Sequence, residues 1–198
     1  MMEAMREQED VIRAGRLLVA TPVLEDPNFR RSVVLVVDHD PEEATLGVVL
    51  NRPTEVAVGQ ILPGWAGLAD RPDVVFQGGP VGLDSALALA RLPGTGEPLG
   101  WRALEGVPAL ARVGLVDLDG PPEALAEEFA GFRVFAGYAG WGADQLRSEL
   151  AEGTWYVLAA EPEDVFTADP ERLWQAVLRR QGGDLAFVAT YPEDPSLN

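Results

Sequence analysis

The sequence contains no cysteine and no lysine, and histidine occurs once, at His39. Without cysteine there is no disulfide, no thiolate nucleophile and no cysteine-ligated metal. Without lysine there is no P-loop side chain to reach a phosphate. Long apolar runs are also missing. The longest strand-like run, "VVLVV" at 33–37, stops at Asp38, well short of the ~20 residues a membrane helix needs. The first residues, "MMEAMREQEDVIRAG", are charged and lack the apolar stretch of a secretory signal. They are expected to form a mobile tail over 1–14. These absences together predict a cytoplasmic protein with no membrane association.

Positive charge is scarce. There are 15 basic residues, all Arg, against 32 acidic ones, for a net charge of −17. Nucleic-acid binding draws much of its affinity from basic contacts to phosphate, so DNA is not an expected partner. The Arg doublets stand in "FRR" (29–31) and "LRR" (178–180), each among acids. They are expected to be solvated arginines pairing with nearby carboxylates.

What the sequence does have is apolar content. With 198 residues, 47% of them hydrophobic, it can bury the core of one domain, expected over 15–198. Strand patterns appear at "GRLLVATPVL" (15–24), at "SVVLVVDH" (32–39), which reads as buried on both faces, and at "TLGVVLNRP" (45–53). The short polar loop between the last two predicts a hairpin. Further strands are expected in 73–82, 107–120, 132–140 and 154–160, while "SALALARL" (85–92) fits strand or helix equally. Helices are expected over 121–131, 142–153 and 169–183; the last has Asp169 as N-cap, Pro170 at its first position and Gly182-Gly183 as a stop. Strands cluster early and mix irregularly with helices later. That order predicts an α+β fold with a mixed sheet.

Several stretches suggest chemistry. "FRVFAGYAGWGADQL" (132–146) runs from a strand through Gly137, Gly140 and Gly142 into a helix. Its spacing is neither G-x-G-x-x-G nor G-K-[ST], and Asp144 already supplies negative charge at the helix start. A structural corner is the preferred reading, with Gly140 among the residues holding it. His39 lies in "VVDHDPEE", where a general base or a carboxylate-rich metal site is conceivable. A strand-end residue in a solvated acidic loop is preferred. Ser32 stands about 23 Å from His39 along one strand, so the pair is not a hydrolase couple. "VDLDG" (116–120) reads as a turn, not a calcium loop. No metal and no cofactor are expected. Arg52, in the Asn51-Arg52-Pro53 turn, could bind a carboxylate or phosphate through its planar fork, or form a structural salt bridge to Asp26.

Taken in order, "GRLLVATPVLEDPNFRRSVVLVVDHD", "LGVVLNRP", "QGGPV", "GYAGWGADQLRSEL" and "GGDLAFVATYPEDPSLN" resemble the AlgH/YqgE family of bacterial proteins. The resemblance runs from about Gly15 to the C-terminus. It implies a complex α+β fold with a partly barrel-like mixed sheet flanked by helices. Some members carry the label of transcriptional regulator, and the resemblance implies no particular reaction. Many members have a Leu-His pair shortly after the Gly-Gly-Pro turn; here the stretch is "LALARL", without His. The expected function is a non-catalytic, cytoplasmic regulatory or interaction protein acting through a protein partner or a small ligand. The alternatives are an enzyme whose Asp, Asn and Arg loops converge, and a regulator binding DNA directly, which the charge disfavours. A ligand site would draw on Asp26, Asn28, Arg52, Gly78 and Gly79. These loops then have to meet in space.

Overall fold

Apolar and β-branched runs of five to seven residues open the chain: Arg16–Ala20 (β1), Val33–His39 (β2) and Ala44–Val49 (β3). In the computed structural model, which describes residues 12–125 and 129–192, they pair as consecutive antiparallel strands. Pro53–Ala57 (β4), Val74–Gln77 (β5), Val81–Arg91 (β6), Trp101–Ala103 (β7), Val113–Val116 (β8), Gly131–Gly142 (β9) and Trp155–Ala159 (β10) complete a ten-stranded sheet. Its main path runs β10-β1-β2-β3-β9-β6-β8-β7, and β4 joins through β5. All pairings are antiparallel except β5 with β9. The sheet is therefore mixed, and it curls into a partial barrel with helices packed on it, the expected α+β architecture.

Side chains alternate across the first strands. Leu17, Val19, Val33 and Leu35 join one core cluster with Phe76, Phe135 and Trp174. Leu18, Ala20, Val34 and Val36 join another with Trp141, Leu146 and Trp155. A strand can bury both faces only when each face is covered. Helix Ala143–Ala151 supplies Leu146 and Leu150 to the second cluster, and helix Leu173–Gln181 supplies Trp174, Val177 and Leu178 to the first. A third cluster, with Trp65, Trp101, Phe132 and Val134, lies under the second half of the sheet. Numbering helices in chain order, Val58–Ile61 is α1, Ala143–Ala151 α2, Pro162–Val165 α3, Leu173–Gln181 α4 and Gly183–Val188 α5.

The structure corrects some local expectations. Residues 85–91 are strand, the second part of β6. The helix expected at 121–131 is a 3₁₀ turn at Pro122–Ala124, and 126–128 lie outside the described residues. Asp169 does not cap the helix at 169–183 through its side chain: a 3₁₀ turn at Pro170–Arg172 intervenes, and Asp169 ion-pairs with Arg172 at 3.7 Å instead. Most of the 1–14 segment lies outside the described residues, but Ile12 is buried against β1 and β2 side chains.

Candidate functional site at the meeting of three loops

The loop after β1 is built by local hydrogen bonds. Asp26 Oδ1 accepts from the Asn28 N–H at 2.8 Å, and its carbonyl accepts from Phe29 and Arg30. Phe29 fixes the loop from outside, packing at 5.7 Å from Trp141 and 5.6 Å from Trp155. Those indoles each donate to Glu149 Oε2. The chain then passes through Arg31 at φ 55°, a left-handed backbone that a non-glycine residue adopts at a cost of about 1–3 kcal/mol. Asn51 holds it there. This buried amide donates to the Arg31 carbonyl at 2.8 Å and accepts from Val33 N–H at 2.9 Å. The next residue, Arg52, reaches the same loop by donating to the Arg30 carbonyl at 2.6 Å.

The Gly78-Gly79 turn approaches from the end of β5. Gly78 donates to Ala136 and accepts from Val49, both at 2.8 Å. A Cβ on Gly78 would fall 2.4 Å from the Gly137 carbonyl oxygen, and one on Gly79 2.1 Å from the Tyr138 carbonyl carbon. Glycine is required here for close approach of two backbones.

The loops do meet. Pro27, Asn28, Arg52, Gln77 and Gly79 line a small pocket of about 50 Å³. Asp26 and Gly78, the other two expected site residues, adjoin lining residues in the chain but do not line the pocket themselves. Arg52 also lines a larger cavity of about 380 Å³, together with Arg30, Arg31, Asn51, Glu171, Trp174 and Gln175. Arg52 is thus common to both cavities.

Electrostatics set this region apart. Burial, and then the neighbouring charge of Arg30, pull the Arg52 pKa down. The alternative of a salt bridge from Arg52 to Asp26 is not realised; a backbone carbonyl takes the guanidinium instead. Neither Arg30 nor Arg52 forms an ion pair among the described residues. The expectation that the "FRR" arginines pair with nearby carboxylates is therefore wrong for Arg30. Arg31 donates to the carbonyls of Tyr191 and Pro192 and lies 4.5 Å over the Trp174 ring. In the other doublet Arg180 follows the expectation, binding Asp164 with both forks at 2.8 Å and Glu161 at 3.1 Å, whereas Arg179 forms no ion pair among the described residues. Arg30, Glu171, Trp174 and Gln175 were not among the expected site residues. The first stood in plain view in "FRR"; the others, from Glu171 on, lie more than a hundred positions further along the chain and share no local signal with it.

The remaining sequence candidates resolve separately. His39 ends β2, with Nδ1 2.8 Å from Thr45 Oγ1. Burial lowers its pKa, opposed by Asp40 and Asp38. It shares a cavity of about 330 Å³ with Ile12, Leu146 and Arg147, and Arg147 pairs with Asp144 at 2.8 Å. Ser32 is fully buried before the other end of the strand. Asp117 Oδ1 accepts from Asp119 N–H at 3.0 Å, the expected turn. Among the described residues no three His, Asp or Glu side chains gather as metal ligands. No helix among them is long and apolar enough to cross a membrane. In the glycine cluster, Gly137 alone has positive φ, at 69°. Gly140 does not, and a Cβ there would make only ordinary contacts.

Known proteins resemble the chain in sequence and in fold. A family model described as AlgH-like matches residues 17–186. A UPF0301 protein of Streptomyces coelicolor is 64% identical over 188 residues, covering 93% of this chain and 94% of the relative. A UPF0301 protein of Mycobacterium tuberculosis is 48% identical over 191 residues, covering 94% and 91%. The crystal structure of a protein from Corynebacterium diphtheriae superposes with a TM-score of 0.83 at 32% identity, over 91% of this chain and 93% of that one. The solution structure of the AlgH protein from Pseudomonas aeruginosa gives 0.65 at 25% identity, over 91% and 94%. The names of these relatives state a family and no reaction. By its sequence and by its fold, the chain belongs to the AlgH-like family.

Proposed function

We propose that this is a non-catalytic, cytoplasmic binding protein whose ligand is a small anion held at Arg52, and that it acts in regulation by changing how the surrounding loops meet a protein partner. One observation carries the reading. Arg30 and Arg52 line one cavity, neither has an ion-pair partner among the described residues, and Arg30 is close enough to lower the pKa of half-buried Arg52. Like charges held close, one of them half-buried, are unfavourable unless something compensates them. Perturbed ionisable groups in a cavity mark functional sites more often than chance. The guanidinium fork suits carboxylate or phosphate.

The second reading, an enzyme built from convergent loops, draws on the same meeting of Asn28, Arg52 and Gly79. The group there whose ionisation is displaced is Arg52, which can anchor a substrate but cannot serve as a general base. Asp26 is engaged in holding its own turn. The binding reading therefore accounts for more of the site.

Thermal unfolding tests it. Millimolar phosphate, sulfate and citrate, against chloride at matched ionic strength, should raise the melting temperature of the wild type. Ligand at 100 times Kd adds about 2.7 kcal/mol of stability. Arg52→Gln should abolish the rise. An unchanged melting temperature in every anion, or an equal rise in Arg52→Gln, would refute the proposal.

A further inference from the structure

We infer that the bound anion is one compact, doubly charged group, a phosphate monoester, carried by a small polyhydroxylated body. This rests on the anion-binding reading above and specifies its ligand.

The charge argument comes first. Arg30 and Arg52 each bring a positive charge with no carboxylate partner among the described residues, and Arg30 is close enough to lower the Arg52 pKa. A monoanion would leave one of the two charges unopposed. A dianion neutralises both. Geometry then favours one group over two separate carboxylates. Arg52 is bonded to the Arg30 backbone carbonyl, and both residues line the one cavity. The backbone there is also preorganised. The left-handed turn at Arg31 is held by buried Asn51, so the Arg30 backbone is placed before any ligand arrives.

Two further lining residues select the rest of the molecule. Gln175 Oε1 is buried and has no hydrogen-bond partner among the described residues. Glu171 lines the same cavity. Both are acceptors, and both call for donors on the ligand. Glu171 also repels further negative charge, which disfavours a polyphosphate. Hydroxyl groups satisfy both residues. The cavity, about 380 Å³, lies in the range of small-molecule sites.

Calorimetry on the full chain tests each half. The probes are methyl phosphate, methyl sulfate, succinate and glucose 6-phosphate. A phosphate monoester is a dianion at about pH 7.5 and mainly a monoanion at about pH 5, because its second pKa is near 6. Because the monoanion keeps about a tenth of the dianion's affinity, methyl phosphate affinity should therefore fall about fivefold between those values. Methyl sulfate, a monoanion throughout, should bind about tenfold more weakly than methyl phosphate at the higher pH. It also reports any titration of the protein; the ionisable groups facing the ligand are Arg30, Arg31, Arg52 and Glu171, with no histidine among the lining residues. Glucose 6-phosphate should bind more tightly than methyl phosphate, and Gln175→Leu should remove that advantage. Arg30→Gln, an exposed position, should weaken every phosphate probe with no loss of fold.

Equal affinity for methyl sulfate and methyl phosphate would overturn the dianion and leave the anion site standing. So would succinate matching or exceeding methyl phosphate. No advantage for glucose 6-phosphate would overturn the polyhydroxylated body. If neither these probes nor the anions of the unfolding test bind, the site itself is refuted.

Discussion

Gly137 shows how a single residue bends this sheet. At φ 69° a Cβ would lie 2.7 Å from the Val81 carbonyl oxygen and 2.9 Å from that of Gly79. Both the backbone angle and the space therefore exclude a side chain. Gly137→Ala should cost about 1–3 kcal/mol, read as a lower urea midpoint. Gly140→Ala should stay within about 0.5 kcal/mol, because its nearest contact would be an ordinary 3.6 Å. Equal losses at both positions would show that spacing in the sequence matters more than local backbone angle. The glycine cluster was legible as a strand-to-helix corner, but which glycine bears the strain was not. That depends on how β5 and β6 approach, which is long-range information. That the Asn28 and Arg52 loops meet was legible because turn chemistry is local. Arg30 was misread because counting acids predicts an average neighbourhood, and this loop lies outside it.

At the scale of elements, the buried Asn51 amide couples β2, the left-handed loop and the β3–β4 corner. Asn51→Ala leaves the Val33 N–H and the Arg31 carbonyl without their partner. Unsatisfied buried groups cost about 1–3 kcal/mol, so equilibrium unfolding should show a loss of that size. Asn51→Ala should also weaken anion binding, since Arg30 loses its fixed placement. A variant as stable as wild type would mean that the loop is held by Phe29 alone. The β2–β3 hairpin was readable because alternation and a polar loop mark it. β6 was not, because its first part is largely exposed and its second part buried, so no single period runs through it. The parallel pairing of β5 with β9 leaves no local trace in either strand.

At the scale of the whole molecule, the charge of −17 opposes any polyanionic partner, while the proposed small anion would meet two arginines that have no ion pair among the described residues. Long-range repulsion slows encounter with DNA, and too few arginines are grouped to release many counterions. Fluorescence anisotropy should detect no sub-micromolar binding to random duplexes near ~150 mM salt. Tight binding that weakens steeply as salt rises would overturn that expectation. The strand order carries a different consequence. β1 is covered on one edge by β10, with Arg16 opposite Ala159, and β3 is covered by β9, with Ala44 opposite Gly142. A ribosome makes β1, β2 and β3 first and the strands that close their edges last. Throughout the synthesis of the intervening residues, three strongly apolar strands wait with both outer edges open. During that interval the nascent chain is most exposed to mispairing with its neighbours, and completion of the fold coincides with the emergence of its last third.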